Sequence, residues 1–230
     1  MSSEAVRVIV RCRPENSREK SLKCKNVVQV DEERNQIILK NSIATATHGK
    51  QDKPFTFDGS YGPNSKTSTI YAESAASLIE SVIEGFNATV FAYGQTGCGK
   101  SFTMEGPTSD LPIDQNEMAG IIPRACADLF DSVALSDSGK KFLVHASYLE
   151  IYNENVRDLL ADKNNAVKPL DLKEHPDRGV YVKGLTMHRI TTAIQAQKLM
   201  DKGWSQRATG ETLMNQDSSR SHAIFTIYRR

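Results

Sequence analysis

Val6, Val8, Val10 and Cys12 alternate with Arg7, Ile9, Arg11 and Arg13 until Pro14 stops the run, which predicts a strand. Short apolar stretches at 27–30, 36–40 and 55–57 predict more strands, with a polar loop over 47–54. The period then changes. Tyr71, Ala75, Leu78, Val82 and Phe86, widened by Ile79 and Ile83, predict a helix over 67–84 that stops at Gly85. TVFAY (89–93) has no polar alternation, so it predicts a strand buried on both faces. A polar, proline-bearing loop over 107–120 precedes a further helix and a second loop over 136–141. The pattern then predicts a strand over 142–152, a short helix over 155–160 and extended pieces around the HPDRG turn within 170–185. A helix follows, capped by Thr191 or Thr192, with Ala193, Ala196, Met200 and Trp204 along one side. The last strand is 223–228. Strands alternate with helices without internal repeats, which predicts one α/β domain over 1–230.

Composition narrows this only a little. With 39% hydrophobic and 25% charged residues, the chain has the balance of an ordinary folded domain. A net charge of +1 gives no global pull toward nucleic acid or a membrane surface, and neither partner is expected. Cys12, Cys24, Cys98 and Cys126 form no C-x-x-C pair, so neither a zinc site nor a disulfide framework is expected. No apolar run reaches the roughly 18 residues that span a bilayer, and the first residues lack a secretory pattern. The cytoplasm is the expected compartment. Asn87-Ala88-Thr89 fits the glycosylation pattern but directly precedes an apolar strand in an apparently cytosolic chain, so no modification is expected there.

Chemistry enters at GQTGCGKS (94–101), which fits G-x-x-x-x-G-K-[ST] at every position. Glycines let successive backbone N–H groups curl around phosphate oxygens with no Cβ in the way. A helix that follows would point its partly positive end at the same anion. Lys100 would reach the β- and γ-phosphates, and the Ser101 hydroxyl would ligate Mg²⁺. Near the other end, Asn215, Ser218, Ser219, Arg220 and Ser221 gather an amide, hydroxyls and a fixed charge just before a strand. Beside a phosphate-binding loop, that cluster reads as a sensor of the γ-phosphate.

R-C-R-P (11–14), GQTGCGKSFTMEG (94–106), SYLEIYNENVRDLL (147–160) and N-Q-D-S-S-R-S-H (215–222) together resemble the kinesin motor domain, in its order and rough spacing. VRVIVRCRPENSREK and GVYVKGLTMH look most like the kinesin-2 subfamily, particularly its homodimeric, cilium-associated members. The resemblance implies a P-loop NTPase fold, with helices flanking a central, mostly parallel mixed sheet. It implies an ATP-hydrolysing microtubule motor of the cytoplasm and cytoskeleton, the cilium included. Arg11 and Pro14 would flank the adenine. Gly94, Gln95, Thr96, Gly97, Cys98, Gly99, Lys100, Ser101 and Phe102 would hold ATP, with Ser101 and Ser219 on the metal side. Asn215, Ser218 and Ser219 would close on the γ-phosphate, and Arg220 would pair with a glutamate of a second switch. His175, Arg178 and Lys183 would face the acidic surface of tubulin. The full-length form would be a homodimer through a coiled coil that these residues do not contain.

The sequence also departs from that family. No Asp-x-x-Gly occurs in the 230 residues, so the second switch is missing, and with it the partner of Arg220. In the family fold, the strand that enters the P-loop lies between two strands from later in the motor. The expectation is therefore a motor domain truncated before the second switch, which binds nucleotide poorly or without turnover. A short non-hydrolysing module that binds nucleotide or microtubules, or interferes with complete motors, is the alternative. A GTPase is disfavoured, since no N-K-x-D stretch is present. Modification of the Cys98 thiol would block nucleotide binding.

Overall fold

A computed structural model of the chain describes residues 6–41, 52–109, 111–135, 142–162, 168–176, 179–214 and 221–229, with the side chains of 208–214 left out. The described residues fall into two compact units, one of 1–94 with 98–121 and one of 95–97 with 122–230. Each has its own pattern of pairing.

In the first unit, β1 (Ile9–Arg11) pairs in parallel with β5 (Gly59–Tyr61), Ile9 opposite Gly59 and Arg11 opposite Tyr61. It is the one parallel ladder among the described strands. β2 (Val28–Asp31), β3 (Gln36–Leu39) and β4 (Lys53–Thr56) form an antiparallel meander. α1 (Ser17–Ser21) starts with a capping box. The Asn16 side chain accepts from the Glu19 amide, and the Glu19 carboxylate accepts from the Asn16 amide. The helix expected over 67–84 is two helices, α2 (Thr67–Ser74) and α3 (Ala76–Glu84), broken at Ala75 and ended by Gly85 as the pattern predicts. Ile70, Tyr71 and Ala75 are buried, while Phe86 at the end of the same stripe is 66% exposed. α4 (Lys100–Met104) follows the glycine-rich loop.

TVFAY does not form the expected strand. Residues 89–93 join no ladder among the described residues, and Phe91 and Tyr93 are 77% and 95% exposed. The apolar run registers a need for cover, but a strand needs partners along its edges, and no described strand supplies one.

The second unit is built on β6 (Val144–Tyr152). One edge of β6 pairs with β11 (His222–Arg229) along its length; the other pairs with β10 (His188–Ile190) and β7 (Asn155–Asp158), all antiparallel. The short helix expected over 155–160 is thus corrected to a strand. Asn153 and Glu154 both have positive φ, 46° and 62°, and close a two-residue hairpin between Tyr152 and Asn155. That backbone matches the twist of an antiparallel pair, so the chain returns along β6 rather than coiling. β8 (Leu172–His175) and β9 (Gly179–Val182) form a separate hairpin, and α5 (Ile121–Leu135) carries the buried Cys126 and Leu129.

α6 (Ala193–Met214) covers β6. Thr192 caps it, its hydroxyl accepting from the Gln195 amide. Its buried stripe is Ala196, Met200, Gly203 and Arg207, so the stripe expected through Trp204 is corrected by one position; Trp204 is 44% exposed. Gly203 explains the shift. A Cβ there would lie 2.2 Å from Tyr148 Cδ1, so only glycine lets the helix backbone rest on that ring. Tyr148 meets Phe225 edge to face at 5.5 Å and packs with Leu159 and Leu160. No described helix is long and apolar enough to cross a membrane.

Candidate nucleotide site and comparison with known proteins

The glycine-rich loop has the backbone its sequence demands. Gly97 and Gly99 have φ of 76° and 98° with nothing within 4 Å of an added Cβ, so the requirement is conformational rather than steric. Gly94 differs, since a Cβ there would lie 2.5 Å from Cys98 Sγ. Lys100 turns back over the loop, and its Nζ donates to the Gly94 carbonyl at 2.7 Å. α4 begins directly after Gly99, and no side chain caps its first turn. The fold thus presents glycine backbone, a lysine and the Ser101 hydroxyl in one short span, the donor set that suits a chain of phosphates.

Arg11 at the end of β1 joins this region to its surroundings. Its Nη1 donates to Thr67 Oγ1 at 3.0 Å and to Thr103 Oγ1 at 3.1 Å, and its Nη2 donates to the Ser65 carbonyl at 3.0 Å. The guanidinium also lies over the Phe102 ring, 5.2 Å from its centroid. One side chain therefore ties β1, the start of α2 and α4 together. Burial pushes its pKa down from the usual arginine value.

Pro14 is fixed by its neighbours. Arg13 grips Glu19 through both Nη atoms, at 2.7 and 2.6 Å, and also donates to the Pro14 carbonyl. The Arg13 bond and the Asn16 amide hold the Glu19 carboxyl down to about 2. Through Arg11, which meets Phe102 and Thr103, the structure sets R-C-R-P against α4, the helix that follows the glycine-rich loop.

The sensor loop is only partly placed. Asn215, Ser218, Ser219 and Arg220 lie outside the described residues, and so does Arg178. Ser221 is described, and its Oγ accepts from Arg207 Nη2 at 2.7 Å. Arg207 in turn pairs with Glu150 at 3.1 Å, both nearly buried. This chain of contacts anchors the end of the sensor loop to β6 through α6. Sequence reasoning missed it, although a glutamate inside SYLEIY and an arginine on the inner stripe of a helix were the available signals. His175, the last residue of β8, and Lys183, directly after β9, are both exposed, and the Lys183 amide donates to the Asp171 carbonyl.

The chain matches the kinesin motor domain family over residues 11–229, which takes in all of these motifs from Arg11 onward. It belongs to the kinesin motor domain family. It is 42% identical over 227 residues to kinesin-like protein klp-20 of Caenorhabditis elegans, covering 98% of this chain and 33% of that protein. Among solved structures it resembles that of a fast kinesin, described for its implications for ATPase mechanism and interactions with microtubules. The TM-score is 0.84 at 36% identity, over 97% of this chain and 59% of that one. This kinesin chain thus spans about a third of its curated relative and three-fifths of its solved one. The match also confirms the expected α/β P-loop fold, although parallel pairing among the described strands is confined to β1 and β5.

Proposed function

We propose that this kinesin chain binds ATP with Mg²⁺ at the loop Gly94–Ser101, as part of a microtubule-stimulated ATPase motor. The observation that carries the reading is the glycine backbone at Gly97 and Gly99 with Lys100 folded across the loop. Lys100 would exchange the Gly94 carbonyl for phosphate oxygen. Ser101 would hold the metal, which when bound neutralises charge on the phosphates. Gln95, Thr96, Cys98 and Phe102 would line the path of the triphosphate. Pro14, fixed by Arg13 and Glu19, would cover the adenine. Arg11 would set the position of Phe102 and α4 as much as touch the base, because its donors already serve three oxygens.

Asn215, Ser218 and Ser219 would close on the γ-phosphate, Ser219 also on the metal side, with Arg220 as the fixed charge. His175, Arg178 and Lys183 would meet the acidic tubulin surface. The GVYVKGLTMH stretch supports a kinesin-2 assignment, and with it a homodimeric, ciliary full-length motor. One sequence feature favours a second reading for the 230 residues alone. They contain no Asp-x-x-Gly, so nucleotide binding without turnover is the alternative.

The test is Lys100→Ala, with binding of a fluorescent ATP analogue and microtubule-stimulated phosphate release as the two readouts. Affinity should fall by about 100-fold or more, since a charge-assisted contact to phosphate is lost. Unchanged affinity would overturn the site. Binding without release in the unsubstituted chain would select the second reading.

A further inference from the structure

The densest run of cations in the chain plays no part in the nucleotide reading. Arg18, Lys20, Lys23 and Lys25 fall within REKSLKCK (18–25), and no other stretch of that length carries as many. The only acid among them, Glu19, is held by Arg13. Ser21 stands in the middle of the run. An arginine lies three residues before it, and an apolar residue, Leu22, directly after it. Arg18, Lys20, Ser21 and Lys23 are all exposed, and Leu22 is 64% exposed. A hydroxyl with a cation on one side and a bare leucine on the other is a pattern that an enzyme's cleft can read.

α1 ends at this serine. Its last turn is closed by the two bonds of a Schellman motif. The Lys23 amide donates to the Lys20 carbonyl at 3.1 Å, and the Cys24 amide to the Glu19 carbonyl at 3.0 Å. Lys23 takes the left-handed position where glycine is usual, with φ of 50°. Ser21 Oγ adds a further bond, donating to the Arg18 carbonyl at 2.8 Å. α1 has five residues and buries none of them. A helix this short, with nothing packed beneath it, opens without exposing any core. The segment can therefore extend into a cleft at little cost.

We propose that Ser21 is a phosphorylation site for a basophilic serine kinase, one whose cleft offers carboxylates to Arg18 and an apolar pocket to Leu22. Arginine suits such a cleft, because its planar guanidinium pairs with a carboxylate through two bonds. The Ser21 oxygen attacks the γ-phosphorus of ATP held by the kinase. An O–P bond forms, the bond to the bridging oxygen breaks, ADP leaves, and the hydroxyl proton passes to the kinase's base. The product opens α1. The phosphorylated oxygen can no longer donate to the Arg18 carbonyl, and its charge lies at the carbonyl end of the helix, where an anion is unfavourable. An exposed ion pair with Arg18 is the weaker effect. Glu19 is the first group that the opening loosens, since its carbonyl closes the Schellman motif and its carboxylate grips Arg13. Neither step depends on nucleotide binding by this chain.

The test is incubation of the chain with MgATP and the catalytic subunit of cyclic-AMP-dependent protein kinase, read by mass spectrometry of the whole chain and of its fragments. A phosphoryl group on Ser21 is expected. Ser21→Ala should remove it. Arg18→Ala should slow its addition about tenfold or more, because one charge-assisted contact to the kinase is lost. Ser77→Ala, at an exposed serine of α3 with no arginine three residues before it, should leave the rate unchanged. In the phosphorylated chain, the Lys23 and Cys24 amides should exchange with solvent about tenfold faster than before. No phosphoryl group on Ser21, or a rate indifferent to Arg18→Ala, would overturn the site. Unchanged amide exchange in the phosphorylated chain would overturn the opening of α1.

Discussion

β6 and residues 89–93 are written in nearly the same alphabet and have opposite fates. VHASYLEIY carries a serine, a histidine and a glutamate, yet six of its nine residues are buried. TVFAY is the more apolar of the two, yet Phe91 and Tyr93 stand exposed. The difference lies in partners. β6 has β11 along one edge, β7 and β10 along the other, and α6 over a face. Residues 89–93 have no described ladder. Apolar composition reports what a segment needs. Whether it is buried depends on residues far away in the chain, and a polar residue can be buried if such residues bring it a partner.

The sharpest way to break the comparison is to remove the partner of a polar residue in β6. Glu150 is buried because Arg207 meets it at 3.1 Å. Glu150→Ala removes the carboxylate that the nearly buried Arg207 guanidinium meets, which should cost about 3–5 kcal/mol in urea unfolding. Pairing it with Arg207→Met should recover a large part. A loss below about 1 kcal/mol for the single variant would mean that the pair is solvated and that β6 is less well covered than described.

Next in size is the helix that covers β6. Gly203→Ala should raise helix propensity by up to about 1 kcal/mol. Its Cβ would nevertheless sit 2.2 Å from Tyr148 Cδ1, and overpacking of this kind costs about 1–3 kcal/mol. Net destabilisation is expected, with a lower Tm. A gain in Tm would show that α6 can lift from Tyr148 at no cost.

The geometry also explains why α6 was misread by one position. Two residues along a strand advance about 6.6 Å, and four along a helix about 6 Å. Tyr148 and Glu150 therefore match Gly203 and Arg207. A hydrophobic pattern cannot announce a stripe made of glycine and arginine, so Trp204 drew the prediction instead. The hairpin at Asn153-Glu154 was hidden for a related reason: two residues of positive φ decide it, and glutamate is an unusual choice there. By contrast, the glycine-rich loop was legible because its requirements are local. The spacing of Gly94, Gly99, Lys100 and Ser101 is itself the geometry. The Arg11 node fell between these cases. The motif marked Arg11, but its bonds to Thr67 and Thr103 depend on how β1, α2 and α4 come together.

The smallest expected change in stability falls on the exposed side of the comparison. Phe91 is 77% exposed and joins no ladder among the described residues, so Phe91→Ser should shift unfolding by no more than about 0.5 kcal/mol. Its effect should appear in association instead. An exposed apolar segment outside any described ladder is a template for pairing between copies, and serine weakens both the hydrophobic contact and the strand propensity. Light scattering on concentration should therefore fall while Tm stays level. A clear drop in Tm would mean that residues 89–93 are covered in solution, and the contrast with β6 would then reduce to one of degree.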